Sequence, residues 1–246
     1  MMKIPRSKKN KFWSFKALDE KTGELSLYGE ISNISWWGDE VTPQQFKDDL
    51  NALGDIDTLN VYINSPGGDV FAGQAIFSIL KRHKASVNVF IDGLAASIAS
   101  VIAMAGDTIV IPRNAMMMVH NPWTVAVGNA AELRESADRL DKVGESVIEA
   151  YLSKATLDKK KLVELLDAET WLSAEDCLEY GFADEIDAEL NVQMNVLEQL
   201  EIKYIEMRGV NGKNLTDYTL EEVKEIKKQL DERGFSLSAV GSPIGK

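Results

Sequence analysis

Between residues 24 and 188 the chain switches repeatedly between two hydrophobic periods, and this alternation restricts the fold more than any other feature. Leu25, Leu27 and Tyr28 before Gly29 suggest a first strand, and Leu59, Val61 and Ile63, then Val87, Val89 and Ile91, recur every second residue, as in strands. Between them lie helical patterns. Thr42-Pro43-Gln44-Gln45 offers an N-cap, a proline at the first helical position and a capping-box glutamine, followed by Phe46, Leu50 and Leu53 at helical spacing. Residues 70–83 are helical in pattern, Gly93 is expected to break the chain, and residues 96–105 read as a buried helix. Ile109 and Ile111 predict a further strand and Met116–Val119 another. A loop over 120–128 leads to a long amphipathic helix over 130–154, with Leu133, Ala137, Leu140, Val147 and Tyr151 near one face. Ser173-Ala174-Glu175-Asp176 is a capping box for a short helix that Gly181 ends. Strand-helix-strand units of this length predict an α/β fold with a mostly parallel sheet covered by helices.

The flanks differ in character. Residues 1–23 start with Lys3, Arg6, Lys8, Lys9 and Lys11 and are expected to form a solvated N-terminal tail. Residues 24–188 form the main domain, and residues 189–246 a short helical extension. There Gly209-Val210-Asn211-Gly212 suggests a hinge, and residues 219–233 a charged helix with a capping box at Thr219 and Glu222. Its apolar stripe of Leu220, Val223, Ile226 and Leu230 is narrow enough to dock on a partner.

Charge and cysteine usage narrow the function. With 27 Lys and Arg against 39 Asp and Glu, the chain carries a formal charge of −12, which opposes binding to nucleic acid or to an anionic membrane. The most apolar run, residues 94–105, is broken by Ser97 and Ser100 and falls short of the roughly 20 residues needed to span a bilayer. The single Cys177 excludes an internal disulfide framework, so a reducing cytoplasm is the expected compartment. In a short helix with no neighbouring histidine, Cys177 reads as a small buried residue.

Three features lie at the C-terminal ends of predicted strands, where parallel sheets place their ligands. Asn64-Ser65-Pro66-Gly67-Gly68 is a loop whose main-chain N–H groups can cradle a phosphate or an oxyanion, or which serves only as a turn. No Gly-Lys-Ser/Thr follows it, so it is not a Walker A loop. Gly93-Leu94-Ala95-Ala96-Ser97-Ile98 sets a serine at the mouth of a small-residue helix, either as a nucleophile or as a plain N-cap. Ser100, one turn further on, is expected to pack within that helix. His120 follows directly on a strand and is a general base or a structural histidine. The other histidine, His83, stands at a helix end among basic residues and reads as a surface residue. A base of this kind needs an acid, and Asp167 and Glu169 before Trp171-Leu172 both qualify.

Taken together, four motifs in order resemble the Clp protease proteolytic subunit family, and more closely the ClpP-related head maturation proteases of tailed phages and prophages. They are Ile63-Asn64-Ser65-Pro66-Gly67-Gly68, Gly93-Leu94-Ala95-Ala96-Ser97, Met118-Val119-His120-Asn121-Pro122, and Trp171-Leu172-Ser173-Ala174 with Glu179-Tyr180-Gly181. The resemblance covers roughly residues 29–186. It implies a ClpP/crotonase-like fold of repeated β-β-α units with a handle helix at 130–154, and assembly into a homo-oligomeric ring. It implies a serine endopeptidase with Ser97 as nucleophile, His120 as general base, and the N–H groups of Gly68 and Ile98 as oxyanion hole. The third member falls at Glu169, where the family usually has Asp, with Asp167 the weaker candidate. No cofactor and no metal is implied. Extended peptide or protein substrate would add as a strand beside residues 123–127. An ATPase, or a capsid or scaffold protein, is the implied partner, in the cytoplasm of a bacterial host.

Other classes fit parts of this pattern. A crotonase-like acyl-CoA enzyme would share the fold and the anion-binding loop but has no need of Ser97 and His120 together. A non-catalytic capsid-assembly component would need neither. A Ser–Lys protease of the signal-peptide-peptidase type lacks a lysine near the predicted sheet edge.

Overall fold

Leu59, Val61, Ile63 and Ser65 point to one side of the third strand and are all buried, so the period-2 pattern read from sequence buries one face of a sheet against helices. The computed structural model describes residues 11–32 and 42–187, and in the C-terminal part residues 194, 198, 203–207, 209–210, 213–214 and 218–240. The chain divides into two compact units, Met1–Ile186 and Asp187–Lys246.

The first unit holds one eight-stranded sheet. Its strands are β1 (Trp13–Ala17), β2 (Thr22–Tyr28), β3 (Thr58–Ser65), β4 (Ser86–Ala96), β5 (Thr108–Pro112), β6 (Met116–Val119), β7 (Thr170–Leu172) and β8 (Glu185–Asp187). The main path runs β1-β2-β3-β4-β5-β8, while β6 pairs with β4 and with β7. The pairs β2–β3, β3–β4, β4–β5 and β4–β6 are parallel, and β1–β2 and β6–β7 antiparallel. The described residues of this unit also form helices α1 (Pro43–Asn51), α2 (Val70–Lys81), α3 (Ile98–Ala103), α4 (Ala130–Leu152), α5 (Lys159–Asp167) and α6 (Ala174–Tyr180). This is a mixed α/β architecture, as the alternation of hydrophobic periods predicts.

Local signals account for most helix ends. Thr42 accepts from the N–H of Gln45, Asp69 from Ala72, and Ser173 and Asp176 form the reciprocal box that opens α6. Gly181 closes α6 in the left-handed region, φ 75°. Every residue of α3 is buried, and five of its six side chains are apolar.

Several expectations are corrected. Residues 1–23 are not all tail: Trp13–Ala17 form the edge strand β1, paired with β2 from Trp13↔Leu27 to Ala17↔Gly23. The cause is aromatic packing, since Trp13 is buried against Phe46 at 5.5 Å between ring centroids and its indole N–H donates to Asp49 at 2.8 Å. Gly93 does not end its strand. β4 runs on to Ala96, pairing with β5 through residues 88–90 and with β6 through residues 94–96, and Gly93 stands where the β3–β4 register shifts. Helix α5 was not foreseen, although its Asp158 N-cap and the buried Leu162, Leu165 and Leu166 are regular signals.

The second unit carries strands as well as a helix. Here β9 (Tyr204–Met207) pairs in parallel with β12 (Ser236–Val240), and β10 (Gly209–Val210) pairs antiparallel with β11 (Lys213–Asn214). The first half of the expected hinge, Gly209 and Val210, is thus strand rather than hinge; its Asn211 and Gly212 lie outside the described residues. Helix α7 (Leu220–Glu232) opens on the expected Thr219–Glu222 capping box, with Ile226 and Leu230 buried and Leu220 exposed.

If β1 is integral to the sheet, Trp13→Ala should destabilise the protein by about 3–5 kcal/mol, as other large aromatic truncations in cores do. Trp13→Phe should cost clearly less. Urea unfolding followed by circular dichroism measures both, and an unchanged midpoint for Trp13→Ala would show that the strand is dispensable.

Candidate active site

Strand β4 ends at Ala96, and the chain turns at Ser97 directly into α3. Ser97 makes this turn with φ 55° and ψ −129°, a conformation L-residues rarely adopt. Only one other described residue besides glycine has positive φ: Glu169, at 49°. The Ser97 side chain makes no capping bond to α3. Its Oγ lies 2.8 Å from Nε2 of His120 instead, so the plain N-cap reading of Ser97 is set aside.

The strand registers explain how distant residues meet. In the parallel pair β4–β6, Leu94 to Ala96 face Met116 to Met118, and the N–H of Ser97 donates to the Met118 carbonyl at 2.9 Å. In the antiparallel pair β6–β7, Met117, Met118 and Val119 face Leu172, Trp171 and Thr170. One further step along that register sets Glu169 opposite His120. The nearest carboxylate oxygen of Glu169 stands 3.9 Å from Nδ1 of His120, an ion-pair distance beyond hydrogen-bond reach. The His120 ring is mostly buried, whereas the Glu169 side chain is 63% exposed. Asp167, the other candidate acid, accepts from the Asn121 side chain at 2.7 Å.

The Pro66-Gly67-Gly68 loop closes over the same place. A β-carbon on Gly67, φ 94°, would sit 2.6 Å from Cβ of Ser97 and 3.2 Å from the amide nitrogen of Ile98. One on Gly68, φ 146°, would sit 2.0 Å from the carbonyl oxygen of Ile31. Both glycines are therefore required by space as well as by dihedral angle. Ile98 is the first residue of α3, where a helix leaves N–H groups without intrahelical acceptors. Ser65, which the loop motif contains without a role of its own, shapes the loop: its hydroxyl donates to the Gly29 carbonyl at 2.6 Å and accepts from the N–H of Gly67 at 3.1 Å. A serine two residues before a glycine turn was the available signal.

The remaining candidates lie apart from this cluster. His83 accepts from the Ala85 N–H at 3.2 Å just after α2, and partial burial lowers its pKa below the ordinary 6.5. Cys177 is fully buried and burial raises its thiol pKa to about 12, which leaves it unreactive. Among the described residues no group of His, Cys, Asp and Glu has metal-site geometry, and no helix is long and apolar enough to cross a membrane.

A hydroxyl hydrogen-bonded to an imidazole at a strand-helix turn, under a glycine loop, is the arrangement of serine hydrolases. Comparison with known proteins agrees with this class. The Clp protease family model matches residues 40–189. The chain is 31% identical over 185 residues to the ATP-dependent Clp protease proteolytic subunit 2 of Treponema denticola, covering 73% of this chain and 90% of the relative. It is 32% identical over 131 residues to the ATP-dependent Clp protease proteolytic subunit of Deinococcus radiodurans, covering 52% of this chain and 64% of the relative. The chain belongs to the Clp protease family and, by that membership, is a serine-type endopeptidase.

Crowding at Gly67 and openness at Gly29 give a paired prediction. Gly29→Ala meets nothing within 4 Å, so only its φ of 88° opposes it, at about 1–3 kcal/mol. Gly67→Ala adds a clash with Ser97 and the Ala96 carbonyl and should lower the melting temperature further. A crystal structure of Gly67→Ala should show the Ser97–His120 hydrogen bond broken; an intact bond would refute the packing argument.

Proposed function

We propose that Ser97 is the nucleophile of a peptide-bond hydrolase in which His120 is the general base and Glu169 its orienting acid. His120 Nε2 takes the Ser97 proton as Oγ attacks the carbonyl, and the N–H groups of Gly68 and Ile98 hold the oxyanion. Collapse of this intermediate, with His120 protonating the leaving amine, gives an acyl-enzyme that water hydrolyses. The observation that carries the reading is the 2.8 Å bond between Ser97 Oγ and His120 Nε2, made by a serine whose hydroxyl has no capping role. Glu169 fits the third role better than Asp167 because it continues the β6–β7 register to His120, while Asp167 is engaged by Asn121. Its 3.9 Å separation is of the kind that tightens when substrate binds.

Substrate is an extended peptide, added beside residues 123–127, where Trp123, Val125 and Val127 are all exposed. We assign this chain to a ring-shaped homo-oligomer with the first part of α4, almost wholly exposed, as its handle. The resemblance of the sequence to the phage ClpP-related proteases favours capsid or scaffold proteins as natural substrates, with residues 189–246 as an extension that docks on such partners. The match of chain and family favours peptide hydrolysis over acyl-CoA chemistry, which gives no use for a Ser97–His120 pair.

Fluorophosphonate labelling with peptide mapping tests the nucleophile. Wild type should carry the label on Ser97, Ser97→Ala none, and an unlabelled wild type would sink the reading. For the third member, Glu169→Gln should lower kcat on a fluorogenic peptide by about 10²–10⁴, the range of acid–base contributions, against a few-fold for Asp167→Asn. The reverse order would transfer the role to Asp167.

A further inference from the structure

Two polar side chains without a part in the chemistry above meet behind the nucleophile. Ser100 is fully buried in α3, and Tyr151 is almost so in α4. Ser100 Oγ lies 2.6 Å from the Ser97 carbonyl, 3.1 Å from the Met118 carbonyl and 2.7 Å from Oη of Tyr151. Carbonyls only accept, so the single Ser100 proton serves them, and the Ser100 oxygen accepts the proton of Tyr151. Burial raises the Tyr151 pKa, keeping its hydroxyl protonated as this direction requires.

The two carbonyls are significant ones. One belongs to Ser97 itself, the residue at φ 55°; the other also accepts the Ser97 N–H and stands two residues before His120. Ser100 thus ties the strained peptide of the nucleophile to the strand that delivers the base, and Tyr151 holds Ser100 in the one orientation that does so. We infer that Ser100 and Tyr151 are positioning residues, forming a hydrogen-bonded clamp that fixes the Ser97 turn relative to His120. The clamp rests on the proposed role of Ser97. It also anchors that turn to the buried end of α4, next to the Tyr151–Phe182 edge-to-face pair at 5.6 Å.

A positioning role makes specific kinetic demands. Ser100→Ala should lower the maximal rate of fluorophosphonate acylation about 10- to 100-fold, as small misplacements of reacting groups do, with the half-saturating concentration unchanged. Tyr151→Phe keeps the ring against Phe182 and removes one hydroxyl, so it should fold and lose about three- to tenfold, because Ser100 keeps its carbonyl bonds but not its fixed orientation. Since Tyr151 acts only through Ser100, the double variant should acylate no more slowly than Ser100→Ala alone. Thermal melts of each variant supply the folded fraction for correction.

Acylation of folded Tyr151→Phe and Ser100→Ala at the wild-type rate would overturn the clamp, as would a loss confined to half-saturation or additive losses in the double variant. In each of those cases the labelled wild type would leave the Ser97 nucleophile standing. A wild type that takes no label would remove both.

Discussion

The main-chain bond from the Ser97 N–H to the Met118 carbonyl, 2.9 Å long, ties the turn after β4 to β6 at a point where the chain takes backbone angles that L-residues rarely adopt. An L-residue at φ 55° and ψ −129° costs of order 1–3 kcal/mol and persists only if its surroundings over-determine it. Here they do. β4 is paired on both sides, β3 through Ser65↔Ala95 and β6 through Ala96↔Met118. The glycine loop packs on the Ser97 side chain, and α3 is buried along its whole length. Relaxing the turn would disturb all of these contacts together, so the core maintains the geometry of one hydroxyl.

The same logic extends to the proposed acid. Glu169, like Ser97, occupies positive φ, and its position follows from a three-residue strand whose register with β6 sets it across from His120. The site is thus assembled from three neighbouring strand ends, β4, β6 and the start of β7. Strand pairing fixes such positions more firmly than a long loop would, because a one-residue slip would turn every side chain of β7 to the other face.

Much of this was legible in the chain. Thr42, Ser173 and Thr219 all cap helices as expected, and the serine, histidine and glycine loop could be placed at strand ends from periodicity alone. What escaped has physical causes. β1 depends on Trp13 meeting Phe46, a contact between residues 33 apart that no local pattern announces. Gly93 looks like a breaker because glycine weakens strands, yet here it relieves crowding near Asn64 while the strand changes neighbours. β7 is too short for a period-2 signal, so the facing of Glu169 and His120 was invisible until the register was known. In the second unit, Gly209-Val210-Asn211-Gly212 reads as a hinge because glycines suggest freedom, but Gly209 and Val210 pair with Asn214 and Lys213, which no local pattern announces.

The burial of Cys177 has a practical corollary. A chain whose sole thiol is sealed in the core, with its pKa raised to about 12, offers maleimides and methanethiosulfonates nothing to attack in the folded state. Any cysteine introduced at the surface would therefore carry a dye or spin label alone. The native molecule thus comes ready for distance spectroscopy, without the background substitutions such work usually demands.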